Sequence, residues 1–227
     1  MCSSDLKADG SIERYKPRFV AKGFTQTYGV DYSDTFAPVA KMNTVRVILS
    51  LAANYNWNLH QFDVKNVFLH GELEEEIYMN VPPRYGEHTT ANTVCKLKKA
   101  SYGLKQSPRA WFARFTKVMV GLGFKQSQGD HTLFVKHSVT GGVTVLLVYV
   151  DDIIVTGDDE EEQKLLGQHL AKELEIKTLG KLKYFLGIEV AHLRKEFSYL
   201  NRNTLQIFCK RPARQHASLQ VHQLIQM

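Results

Sequence analysis

The stretch Tyr149-Val150-Asp151-Asp152 constrains this chain more than any other. It ends the apolar run that begins at Val143 and leads directly into Ile153-Ile154-Val155. Two adjacent carboxylates between β-prone runs predict the tight turn of a hairpin whose strands are largely buried. Acids that deep cost on the order of several kcal/mol unless a cation or hydrogen-bond donors compensate. Oxygen ligands of this kind suit Mg²⁺ or Mn²⁺. The alternative is a turn whose Asp side chains bond only their own backbone. The hairpin by itself favours neither reading.

A second acid shifts the balance. Asp63 stands alone in the largely apolar, β-prone segment 59–70, far upstream of Asp151. The two can meet only if a sheet brings distant strands side by side. Carboxylates on two strands holding two metals ~3.5–4 Å apart is an arrangement used for in-line displacement at phosphorus. Asp63, Asp151 and Asp152 are therefore the candidate catalytic and metal-ligating residues.

Composition narrows the setting. The 227 residues hold one large or two small domains, with enough length for a core. No stretch approaches the ~18 apolar residues of a membrane span, and residues 1–20 are too charged for a signal peptide. Cys2, Cys95 and Cys209 lack any CxxC spacing, which points to a reducing compartment. The expectation is an intracellular protein, cytoplasmic or nuclear, neither secreted nor membrane-bound. Of the net charge of +6, the segment from Arg194 onward supplies +5. The body is near neutral, so overall basicity says little about nucleic acid.

Along the chain, Asp9-Gly10 predicts a turn followed by a strand over Arg18–Ala21, and 29–39 reads as a loop. Asn43 caps a helix with Val45, Ile48, Leu49 and Ala52 on one face. Ser107-Pro108 starts a second helix, and its stripe of Trp111, Phe112, Phe115, Val118, Met119 and Leu122 reads as core. Strands are predicted around Leu133–Val135 and over 143–155. Asp158 or Asp159 opens a third helix with Leu165, Leu166, His169, Leu170 and Leu174 as its apolar face. A last strand covers 184–190. The fold class is α+β, an antiparallel sheet with packed helices.

At this point the residues resemble a known family, the reverse transcriptase domain of Ty1/copia-type retrotransposons. The matching stretches are 20–26, 36–42, Asp63-Val-Lys-Asn66 with Phe68-Leu-His-Gly71, 94–99, Tyr102-Gly-Leu-Lys-Gln-Ser-Pro-Arg-Ala-Trp-Phe112, 147–154 and 182–190. They occur in family order across residues 12–192, and the ordered set is far more specific than an Asp-Asp hairpin. The resemblance implies a polymerase palm over 59–192 with a finger insertion around 72–106, and partial fingers with a connecting helix over 1–58. It implies Asp63, Asp151 and Asp152 as the catalytic carboxylates, with the Val64 carbonyl as a further metal ligand and Mg²⁺ or Mn²⁺ as cofactor. Phe68 takes the gate position beneath the incoming sugar, and Arg18, Lys22 and Gln106 fall among the nucleotide-binding positions. Lys105, Pro108, Tyr149, Leu186 and Gly187 fall among those facing template or primer. The implied partners are an RNA or DNA template-primer and dNTPs.

Some positions depart from the family pattern, among them Pro17, Phe19, Val67, Ser101 and Thr178. The departure is larger after about His192. There a two-base frame shift of a back-translated tail recovers a family-like continuation, so 193–227 is expected to be an out-of-frame, disordered tail. The expectation is thus a decayed piece with most of a palm, partial fingers and neither thumb nor RNase H, inactive as it stands and unfit for processive synthesis. Two other classes stay open. One is a non-catalytic nucleic-acid-binding relic, and the other is a different two-metal phosphotransferase using the same acids.

Overall fold

The chain walk is α+β, with helices added to antiparallel hairpins. The computed structural model describes residues 2–6, 9–82, 93–192 and 197–201. Strands β1 (Cys2–Leu6) and β2 (Ile12–Pro17) precede helix α1 (Met42–Tyr55) and strand β3 (His60–Val64). Strands β4 (Glu72–Asn80) and β5 (Val94–Lys99) lead to helix α2 (Ser107–Gly121). Then come β6 (Lys125–Gln126), β7 (Leu133–His137), β8 (Val143–Tyr149), β9 (Asp152–Gly157) and helix α3 (Glu160–Leu174). Strands β10 (Ile176–Lys181), β11 (Tyr184–Phe185), β12 (Ile188–His192) and β13 (Phe197–Asn201) close the described chain. The tail from Leu193 onward was expected to be disordered, but within it residues 197–201 form a strand paired antiparallel with β12; the rest of it lies outside the described residues. No helix among the described residues is long and apolar enough to cross a membrane.

Contacts divide the chain into two compact units, residues 1–37 with 66–115 and residues 38–65 with 116–227. The first holds two antiparallel hairpins, β1-β2 and β4-β5. The turn at Asp9-Gly10 forms as expected, with the Ser11 amide donating to Asp9 Oδ1. The strand expected over Arg18–Ala21 does not form, and Val20 makes only an isolated bridge to Tyr102. Pro17, which has no N–H to give a ladder, ends β2.

The second unit is built on a six-stranded antiparallel sheet of order β10-β3-β9-β8-β7-β6. Central strands β8 and β9 are buried on both faces, which is why their residues are apolar almost without alternation. On one face Leu133, Val145, Leu147 and Ile154 pack in a cluster with Val45, Ile48 and Leu49 of α1 and with Phe185 and Ile188. On the other lies α3, close enough that a Cβ on Gly167 would touch the Phe62 ring. Leu166, Leu170 and Leu174 are buried as expected, joined by Gln163. Leu165 is 48% exposed and His169 is exposed, so the apolar face of α3 is narrower than the sequence suggested.

Helix starts show where local patterning misleads. Asp159 caps α3 by accepting from the Glu162 amide, and three glutamates fill its first turn. Helix α1, expected to be capped by Asn43, begins at Met42 with Lys41 in the cap position and no cap of its own. Its cap comes from elsewhere in the unit. The buried carboxylate of Asp130 accepts from the Lys41 amide (2.9 Å) and the Thr44 hydroxyl (2.6 Å). Helix α2 also starts differently. Gln106 provides its first carbonyl, and the Ser107 hydroxyl donates to the Ser101 carbonyl rather than capping. The single strand expected over 184–190 is two short strands around a turn at Leu186-Gly187, both with positive φ. Two such residues in a row give the turn twist that joins antiparallel strands tightly.

Candidate functional site

The register of the sheet brings the three sequence-picked acids to one end of it. Strand β3 lies against β9 with Asp63 directly opposite Asp152. The Val64 amide donates to the Asp151 carbonyl at 2.8 Å. Strands β8 and β9 pair through Tyr149 and Asp152, so Val150 and Asp151 form a two-residue turn. Strand alternation puts Gln61, Asp63, Asp152 and Ile154 on one face, at the solvent end of the apolar cluster around α1. Tyr149 packs against that cluster, its ring 6.4 Å from Phe185. Leu186 packs there as well, and Gly187 follows it in the exposed turn.

The acids are shallower than the sequence suggested. Asp63 and Asp152 are half-buried, and Asp151 is exposed. The strands are buried, but their ends emerge where the turn begins. Burial nonetheless holds the Asp152 carboxyl above its usual range. A hydrogen bond from Gln61 works against that, and the charges of Asp151 and Asp63 add to it. Two carboxylates facing each other across a strand pair repel and invite a cation.

The donor chemistry fits a hard divalent ion, since all three side chains offer only oxygen. Among the described residues no group of three His, Cys, Asp or Glu side chains forms a ready-made cage. A cation would therefore be held by the facing pair together with Asp151, drawn in from the turn.

The turn itself is strained. Val150 has φ +54°, a region that a β-branched residue rarely enters. Such outliers persist where surrounding structure imposes them, often at working sites. Val150→Gly is expected to raise stability by about 1 kcal/mol by relieving this conformation. Urea denaturation checks it, and an unchanged or lower midpoint would show that packing of the Val150 side chain outweighs the strain.

The other sequence-picked residues lie in the first unit, around Tyr102. Phe68, in a short 3₁₀ turn, stacks edge-to-face on the Tyr102 ring at 5.0 Å. The Arg18 guanidinium lies 5.4 Å from the centre of the same ring. Lys22 is exposed, and its carbonyl holds Thr25. Lys105 reaches the Gln26 carbonyl (3.1 Å) and the Tyr32 hydroxyl (3.2 Å). Gln106 is 2% exposed and both ends of its amide are engaged, with Gln26 donating to it and Asp31 accepting from it. It braces a loop. Pro108 is half-buried in the first turn of α2, and Val67, the neighbour of Phe68, is buried.

Sequence reasoning passed over Gln61, Gln26 and the centrality of Tyr102. Gln61 was findable, because a residue two before Asp63 shares its strand face. Nothing local marks Gln26 as the partner of Gln106.

Comparison with known proteins shows the family of the chain. Residues 4–206 match the family model described as reverse transcriptase (RNA-dependent DNA polymerase). The chain is 43% identical over 182 residues to the retrovirus-related Pol polyprotein from transposon RE1 of Arabidopsis thaliana, covering 80% of the chain. It is 40% identical over 191 residues, 83% of the chain, to that from transposon TNT 1-94 of Nicotiana tabacum. It is 28% identical over 207 residues, 86% of the chain, to the transposon Ty1-ER2 Gag-Pol polyprotein of Saccharomyces cerevisiae. The chain spans 12%, 14% and 11% of the lengths of these three relatives. With the model matched over most of its length and relatives of the Ty1/copia type, this chain belongs to the reverse transcriptase family.

Proposed function

We propose that this chain carries the nucleotidyl-transfer site of a copia-type retrotransposon polymerase, extending a primer on an RNA template with dNTPs. The observation that carries the reading is the direct pairing of Asp63 with Asp152 beside Asp151, in a chain of this family. Reverse transcriptases generally use divalent metals and bind template-primer. The reading makes 59–192 a palm with a finger insertion around 72–106, and 1–58 partial fingers with a connecting helix.

Asp63, Asp151 and Asp152, with the Val64 carbonyl, would hold Mg²⁺ or Mn²⁺. When bound, such ions lower the pKa of an attacking hydroxyl and neutralise charge developing on phosphate. In the reaction the primer 3′-oxygen bonds to the α-phosphorus, the bond to the β-phosphate oxygen breaks, and pyrophosphate leaves. Arg18 and Lys22 would receive triphosphate charge, the first as a planar fork and the second as a point charge. Phe68, braced by Tyr102, would exclude a 2′-hydroxyl by its bulk, and Gln106 would act on the nucleotide indirectly, through the loop it fixes. Tyr149, Leu186 and Gly187 would support the primer end, while Lys105 and Pro108 would face the template.

The test is single-nucleotide incorporation on an RNA template-primer with Mn²⁺ or Mg²⁺. The chain should add one or a few nucleotides, and Asp151→Asn should reduce the rate on the order of 10³-fold. Template binding that survives Asp151→Asn, with no incorporation by either protein, would favour a non-catalytic binding relic. Incorporation without template would favour a different phosphotransferase.

A further inference from the structure

The Gln61 side chain donates from Nε2 to Asp152 Oδ1 at 3.0 Å. Strand alternation places Gln61 on the same face as Asp63, one pleat further from the turn. From there it reaches diagonally across to β9, within the span that long side chains cover between neighbouring strands. The result is a small polar array in which Asp152 faces Asp63 directly and Gln61 obliquely.

We propose that Gln61 is a positioning residue for the metal centre, fixing the plane of the Asp152 carboxylate so that its remaining lone pairs face the cation shared with Asp63. The proposal rests on the metal-binding reading of the three acids given above. A carboxylate held only by its own χ2 torsion rotates broadly. Left free beside Asp63, it would turn away from the like charge. A donor on one oxygen removes that freedom before the ion arrives.

The chemistry of the donor matters as well as its place. A lysine or arginine here would hold Asp152 more strongly, but would bring its own positive charge to the place a cation must enter. A carboxylic side chain would add a third facing negative charge. A neutral amide orients the ligand and leaves the net charge of the acid group for the metal. Donors behind first ligands act in this way at metal sites generally, and removing them typically weakens metal affinity by ~10–100-fold.

The test is Mn²⁺ affinity of the intact chain, read from water-proton relaxation, with thermal melting of the metal-free proteins alongside. Gln61→Leu, close in size and without a donor, should weaken Mn²⁺ binding by about 10- to 100-fold while the metal-free melting temperature moves by no more than a few degrees. Gln61→Asn keeps the amide but withdraws it by one methylene, and should weaken binding similarly. If wild type binds, Asp151→Asn loses binding, and both Gln61 variants bind as wild type does, the proposal is overturned and the metal centre stands. If wild type does not bind Mn²⁺, or Asp151→Asn binds equally well, the metal-centre reading fails and the role of Gln61 fails with it. If both Gln61 variants lose metal affinity only together with a collapse in melting temperature, Gln61 is a structural residue and the positioning role is overturned.

Discussion

Asp130→Ala should cost the second unit about 3 kcal/mol, far more than its place in a loop suggests. The carboxylate accepts four hydrogen bonds, from the Lys41 amide, the Thr44 hydroxyl, and the amide and hydroxyl of Thr132. Removing a helix cap alone costs ~1 kcal/mol, and stranding buried donors costs ~1–3 kcal/mol more. Burial pushes the Asp130 carboxyl up, but hydrogen bonds from Thr132, Thr44 and Lys41 outweigh it and leave it below its usual value of 3.8. A depressed carboxyl stabilises the fold fully above its unfolded pKa and loses that contribution as pH falls through the folded one. Wild type should therefore shed this stability only below about pH 4, and Asp130→Ala should lack that part of the acid transition. Urea midpoints measured from pH 3 to pH 7 check it, and parallel curves for the two proteins would refute the assignment.

Gly23→Ala should disrupt the first unit more severely than any single side-chain loss there. A Cβ at Gly23 would lie 1.8 Å from the Gly103 carbonyl oxygen, and one at Gly103, whose φ is +92°, would lie 2.2 Å from the Ala21 carbonyl oxygen. The segments meet backbone to backbone, joined by the Ala21 amide donating to the Tyr102 carbonyl at 2.7 Å. Forcing them apart breaks that bond and strains the Gln26–Gln106 and Gln26–Lys105 bonds nearby, a loss of at least about 3 kcal/mol. Hydrogen exchange should quicken in 18–32 and 101–107 and stay unchanged in β8 and β9. Gly29→Ala is the contrast. Its φ is +80° but a Cβ there meets open space, so only about 1 kcal/mol of backbone strain is expected. Equal effects of the two substitutions would show that the close approach is not what holds the unit.

What the sequence disclosed was whatever repeats or punctuates locally. The hairpin at Tyr149–Asp152, the lone Asp63 in its strand and the Asp159 cap of α3 could all be read from neighbours in the chain. What stayed hidden was settled by residues far apart. Helix α1 begins before Asn43, where Asp130, far along the chain, caps it from outside. The turn at Leu186-Gly187 has no local signature, because leucine gives no hint of a positive φ. The resemblance placed Gln106 at the nucleotide, and only the arrival of Gln26 and Asp31 shows that its amide is spent. The three acids meet at one end of the sheet but lie shallower than their apolar flanks suggested, since such flanks do not reveal where a strand surfaces.

The position of β3 in its sheet has a consequence for how the site comes into being. Both its neighbours, β9 and β10, are made much later than β3 itself. During synthesis Asp63 leaves the ribosome with no strand to lie beside, and Asp152 emerges some ninety residues afterwards by position. Closing so long a loop is entropically slow, so pairing of β3 belongs to the late part of folding. A nascent chain halted anywhere before β9 can hold helices and isolated hairpins, yet it has no facing acids. Pairing of Asp63 with Asp152 therefore doubles as a check that the chain has been made through the second half of its sheet.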